Sequence, residues 1–121
     1  MKNILIFLIL CLFFYHSTSF AGEADVIEVN VKKHNKNSYN FSVTVLHKDT
    51  GWEHYANKWE IIGANGTILG TRILHHPHVN EQPFTRSLSG VEIPEYVKTV
   101  TIRAHDSVHK YGGKVITIDL P

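Results

Sequence analysis

A period-two alternation of apolar and polar residues runs through this chain and limits what it can fold into. Its clearest instance is Tyr39, Phe41, Val43 and Val45 alternating with Asn40, Ser42 and Thr44. Side chains on an extended strand point to opposite faces in turn, so such a stretch buries one face and wets the other. The rhythm recurs in Ile27, Val29 and Val31, then around Trp59 and Ile61. It returns from Thr67 to His75, from Phe84 to Ser89, in Val100, Ile102 and Ala104, and in Ile116, Ile118 and Leu120. Beyond residue 21 no segment carries an apolar stripe at helical spacing. The expected fold is all-β: an immunoglobulin/fibronectin-like antiparallel β-sandwich of about seven strands, with a small barrel as the alternative.

The turns are written between these strands. Asn65-Gly66 fits a two-residue type I′ hairpin, in which both central residues need positive φ. Pro77 and Pro83 bracket a loop that cannot extend a ladder, and His76, preceding proline, is driven to extended geometry. Arg86 shares strand parity with Phe84 and Leu88. Either a bulge intervenes there, or Arg86 points into the end of the core and finds a partner.

The first 21 residues read as an export signal: Lys2 near the start, an apolar run from Ile4 to Phe14, and Ser19-Phe20-Ala21 as a cleavage site. The run is about half of what a membrane-spanning helix needs. Leu10 before Cys11 is too large for a lipoprotein cleavage site. The reading is therefore residues 1–21 as signal peptide and 22–121 as one domain, periplasmic or secreted, with no stable membrane anchor after cleavage. Cys11 is the only cysteine, so the domain contains neither disulfide nor thiolate. Of twelve Lys and Arg, Lys2 lies in the leader, leaving eleven against eleven Asp and Glu. Such balance argues against nucleic acid as a partner.

Histidine is the unusual component, with nine in the chain and only His16 in the leader. If successive antiparallel strands alternate in direction, the loops after the second, fourth and sixth strands share one end of the sandwich. Counting strand edges, that end holds His47, His54, His75, His76, His78, His105 and His109, together with Asp49, Trp52, Glu53, Tyr55, Glu81, Asp106 and Tyr111, while Arg86 follows on the next strand. Neutral imidazole is a good ligand for zinc and copper(II), so His76, His78, His105, His109 and His54 are candidate metal ligands. Asp106, Glu81 and Glu53 are candidates to orient them, and Arg86, Trp52, Tyr55 and Tyr111 to line a ligand surface. Two other readings stand beside this one. The imidazoles could order the loops through hydrogen bonds alone, or the same end could be a recognition surface for an unknown protein or small ligand.

Catalysis has little support. Ser107 lies between Asp106 and His109, but closeness in sequence does not make a triad. There is no Gly-x-Ser-x-Gly elbow, phosphate loop or His-Glu-x-x-His helix. The sequons at Asn40 and Asn65 fall mid-strand and in a hairpin turn.

Three segments together carry a resemblance: Gly51-Trp52-Glu53-His54-Tyr55-Ala56 with Trp59, His76-Pro77-His78-Val79 through Gln82-Pro83-Phe84-Thr85-Arg86-Ser87-Leu88, and His105-Asp106-Ser107-Val108-His109 with Gly112-Gly113. They resemble a group of small exported bacterial proteins with an immunoglobulin-like sandwich. The resemblance implies a periplasmic setting and carries no assigned activity or ligand residues.

Overall fold

The computed structural model describes residues 22–121, so the signal-peptide reading of residues 1–21 lies outside the described residues. Seven strands follow in order: β1 (Asp25–Asn35), β2 (Ser38–Leu46), β3 (Ala56–Ile62), β4 (Ile68–Ile73), β5 (Phe84–Glu92), β6 (Thr99–Asp106) and β7 (Ile116–Asp119). They form two antiparallel sheets, ordered β1-β2-β5 and β4-β3-β6-β7. The chain is a β-sandwich. Among the described residues no helix is long and apolar enough to cross a membrane.

The alternating residues meet between the sheets. Phe41, Val43 and Val45 from β2 pack with Trp59 and Ile61 from β3, Phe84 from β5, and Val100, Ile102 and Ala104 from β6. Trp59 is fully buried, as a residue opening an apolar strand should be. At roughly 1.5–3 kcal/mol for each large side chain removed from water, this set is the main source of stability for a domain of this size.

Three local readings need correction or decision. Ile27, expected on the dry face of β1, is 42 % exposed. A register shift between Val26 and Glu28 turns Val26 inward instead and displaces Ile27 to solvent. The β3–β4 hairpin is not a two-residue type I′ turn. Gly66 takes φ 85° but Asn65 does not reach positive φ, and Gly66 N–H donates to Gly63 O while Gly63 N–H donates to Thr67 O. This is a three-residue loop with glycine in the left-handed position. Asn65 Oδ1 braces it by accepting from the backbone and hydroxyl of Thr67. For Arg86 the partner alternative holds: Val43 pairs with Arg86 and Val45 with Phe84 without a bulge between them. The guanidinium reaches His78 Nε2 at 2.9 Å and Glu81 at 3.3 Å.

Hydrogen bonds tie the β2–β3, β4–β5 and β6–β7 connections into one end of the sandwich. Asp49 accepts from the backbone of His78, and Tyr55 and Ser107 exchange bonds in both directions. The end rich in histidine is thus a single braced structure.

Candidate metal centre

The core faces of β2 and β6 run out of apolar residues at this end but keep their parity. Phe41, Val43 and Val45 are followed on the same face by His47 and Asp49. Val100, Ile102 and Ala104 are followed by Asp106. All three polar residues are buried, Asp106 completely. A buried polar group must find partners or lose the hydrogen bonds that water gave it. These groups find them chiefly in one another and in the loop backbone.

His47 Nδ1 lies 2.5 Å from Asp49 Oδ1, and its Nε2 lies 2.9 Å from Gly22 O. Both ring nitrogens therefore face oxygens. Burial alone would push the imidazole down. The hydrogen bond to Asp49, the charges of Asp49 and Asp106, and the Gly22 carbonyl outweigh it and hold His47 above its ordinary value. Burial likewise works against the Asp49 carboxylate, yet bonds from His47 and from the backbone of His78 and Ala56 keep its pKa low.

Asp106 organises the β6–β7 loop. Its backbone pairs in both directions with Lys110, which is held at φ 67°, and its Oδ2 accepts from the amides of Val108 and His109. This is the aspartate habit of folding the following residues over its own carboxylate. The same Oδ2 also meets His54 Nε2 at 2.8 Å and His109 Nδ1 at 3.3 Å. Burial raises the acid's pKa, but the two amides, His54 and the nearby His47 bring it below the usual range. Oδ1, by contrast, is buried and has no hydrogen-bond partner among the described residues. One oxygen is crowded and the other is bare.

Around that carboxylate the rings of His47 and His54 lie 4.8 Å apart, and those of His54 and His109 lie 5.0 Å apart. One ligand atom each from His47, His54 and Asp106 falls within 4.8 Å of the others. Donors bound to one tetrahedral zinc sit ~3.4 Å apart, so an ion would need each donor to move in by about 1 Å or less. The His54 side chain is 15 % exposed and that of His109 is 37 % exposed, which leaves an approach from solvent on the His109 side.

Of the residues named from sequence, the fold brings His54, His109 and Asp106 together and sends the others elsewhere. His76 and His78 do stand beside each other, with ring centroids 4.7 Å apart, and His78 stacks on Phe84 at 4.0 Å. Arg86 can only donate, so His78 Nε2 accepts and its proton sits on Nδ1, which is buried without a partner. Burial, then the charges of Arg86 and His76, pushes His78 below its ordinary value. Glu81 pairs with Arg86, and Glu53 is exposed. Trp52 is 66 % exposed with its edge against Tyr55. His47 and Asp49, which the sequence places at this end but not among the candidate ligands, join the site, and their parity on the strand's dry face is the signal that points to them.

His105 and Tyr111 belong to a different network, on the outer face of the larger sheet. His105 Nδ1 lies 2.6 Å from Asn57 Oδ1, and burial followed by the charges of Lys58 and Lys110 lowers its pKa. Tyr111 folds back so that its hydroxyl donates to Glu60, with Arg103 over its ring at 4.0 Å. Glu60 is 2 % exposed. Burial would raise its carboxyl. Bonds from Tyr111 and Arg103, with the charges of Lys58 and Arg103, hold it below its usual 4.5. A depressed carboxyl stabilises the fold fully above the unfolded value and ceases to do so as pH falls through the folded value. Glu60→Gln is therefore expected to cost about 1–3 kcal/mol at pH 7. The deficit should shrink on acidification below the folded-state value, as measured by urea unfolding across pH.

No family model matches the chain, and no solved structure matches it. A protein of Halomicrobium mukohataei carrying the description "Putative lipoprotein" is 39 % identical over 97 residues, covering 80 % of this chain. The chain spans about half the length of that relative, 47 %.

Proposed function

We propose that this is an exported, non-enzymatic binding protein that takes a transition metal ion, zinc or copper(II), at the loop end of its sandwich. The metal group is His47, His54 and Asp106, with His109 at its open side. The observation that carries this reading is Asp106 Oδ1, a buried oxygen with no hydrogen-bond partner among the described residues, on a carboxylate that groups with His47 and His54 within 4.8 Å. Leaving such an atom bare costs about 1–3 kcal/mol or more, and a cation ligated through it would remove that cost. Imidazole with carboxylate is a donor set that zinc and copper(II) both accept. His47–Asp49 supplies the carboxylate that commonly orients a ligating imidazole.

Export is supported by the character of residues 1–21 and by the lipoprotein description of the relative. The immunoglobulin/fibronectin-like arrangement is supported by the three-plus-four division of strands, with β4 beside β3 and not beside β5. A periplasmic or secreted setting fits both. The test is metal analysis of the purified protein with calorimetric titration of Zn²⁺ and Cu²⁺. One equivalent bound at micromolar affinity or better is expected for one of the two ions, and absence of binding for both would reject the reading.

A second reading, a recognition surface for a protein or small ligand, is favoured by one specific feature. Trp52, Val79 and Val108, one on each of the three loops, are 66, 52 and 50 % exposed. Aromatic side chains held at loop tips are common anchors of binding interfaces. Trp52→Ala is expected to change stability by under about 1 kcal/mol, because most of the side chain is already in solvent and its aromatic contact is a T-shaped pairing with Tyr55. A thermal midpoint close to that of the parent protein checks this. A large fall would mark Trp52 as part of the packing and not of a surface.

A further inference from the structure

We infer that Gly22 and Glu23 form a latch on the metal group, so that ion binding and undocking of these two residues are coupled. The inference rests on the metal reading above. His47 has no nitrogen free for an ion, since Nδ1 faces Asp49 and Nε2 faces the carbonyl of Gly22. For His47 to ligate, one of these contacts must give. The Asp49 contact is charge-assisted and wholly buried, and Asp49 is fixed from three directions by His47, the His78 amide and the Ala56 amide. The Gly22 contact is to a neutral carbonyl on an exposed residue. The weaker partner yields: Nε2, which donates its proton to the Gly22 carbonyl, releases that proton to solvent and turns its lone pair to the ion, while Nδ1–H stays on Asp49.

The rest of the segment shows how far the release extends. Ala24 is 1 % exposed and lies under Gly113, where a Cβ would come within 1.9 Å of Ala24 O. Only glycine permits that approach. Lys114 N–H donates to Asp25 Oδ1 at 2.8 Å, and Val26 N–H donates to Lys114 O at 2.9 Å. These inner fastenings belong to the β6–β7 connection and do not involve His47. Gly22 and Glu23 are therefore the part set free, while Val26 onward stays in the sheet.

The experiment is backbone ¹⁵N relaxation by NMR of the full chain with and without saturating Zn²⁺, run beside calorimetry on the same preparation. Release of the Gly22 carbonyl should lower the order parameters of Gly22 and Glu23 from about 0.85, the rigid-backbone range, to below about 0.6, with β2 and β3 unaffected. In a His54→Ala variant zinc should leave those amides unchanged. Zinc binding with unchanged or higher order parameters at Gly22 and Glu23 overturns the latch and leaves the metal reading standing. Loss of order that persists in His54→Ala overturns it too, because the ion would then be acting elsewhere. If calorimetry shows no binding, both fall together.

Discussion

Asp106→Asn is expected to lower zinc or copper(II) affinity by more than the ~10–100-fold that loss of a supporting partner costs, because it removes the one anionic ligand of the group. The amide keeps an oxygen that can accept from Val108 and His109, so the loop retains most of its form. The charge beside His54 and His109 disappears. His54→Ala should have a comparable effect on affinity. The informative contrast is His76→Ala combined with His78→Ala. Those residues form the most conspicuous histidine motif in the chain, yet the His76 ring lies tilted beside His78, which stacks on Phe84, and neither belongs to the group around Asp106. The double variant should leave ion affinity within a few-fold of the parent while disturbing the β4–β5 loop. Calorimetric titration of all three proteins decides it. If instead the His76/His78 variant loses the ion and Asp106→Asn keeps it, the centre lies on the proline-stiffened loop and not at the end of the core.

That contrast shows what the sequence made legible. The sandwich followed from alternation, because a two-residue period leaves little freedom about which side chains meet. Strand order then brought the histidine-bearing loops together. Which imidazoles converge was not readable in the same way. His76-Pro77-His78 stands out as a string, but Phe84 and Arg86 occupy the ring of His78 from elsewhere in the fold. His47 looks like an ordinary strand end and becomes a site residue only when its place on the buried face of β2 is followed past Val45. Asp49 is its continuation. Ile27 failed for the opposite reason, since a bulge resets parity and leaves no mark in composition. The reach of Tyr111 back to Glu60 depends on how the loop folds over the sheet, which no local pattern encodes.

The second large effect is expected at Asp49, whose carboxylate joins three parts of the chain. Oδ1 takes His47 Nδ1 and the Ala56 amide at the start of β3, and Oδ2 takes the His78 amide of the β4–β5 loop at 2.7 Å. Asp49→Ala would leave two buried amides without acceptors and an imidazole facing only a carbonyl. Breaking a buried pair from one side typically costs about 3–5 kcal/mol, because the remaining partner keeps its desolvation cost. For a domain of this size that is a large part of the total stability. Urea unfolding should show the midpoint falling steeply with little change in slope. Asp49→Asn should recover part of the loss, since its amide oxygen can still accept one of the two backbone bonds. Backbone bonds and the imidazole pair are then separated by combining each change with His47→Gln. If the His47→Gln background absorbs most of the Asp49→Asn effect, the ion pair dominates. If the two costs add, the carboxylate acts mainly as a backbone clamp that holds the loops in place, and the imidazole is a passenger on it.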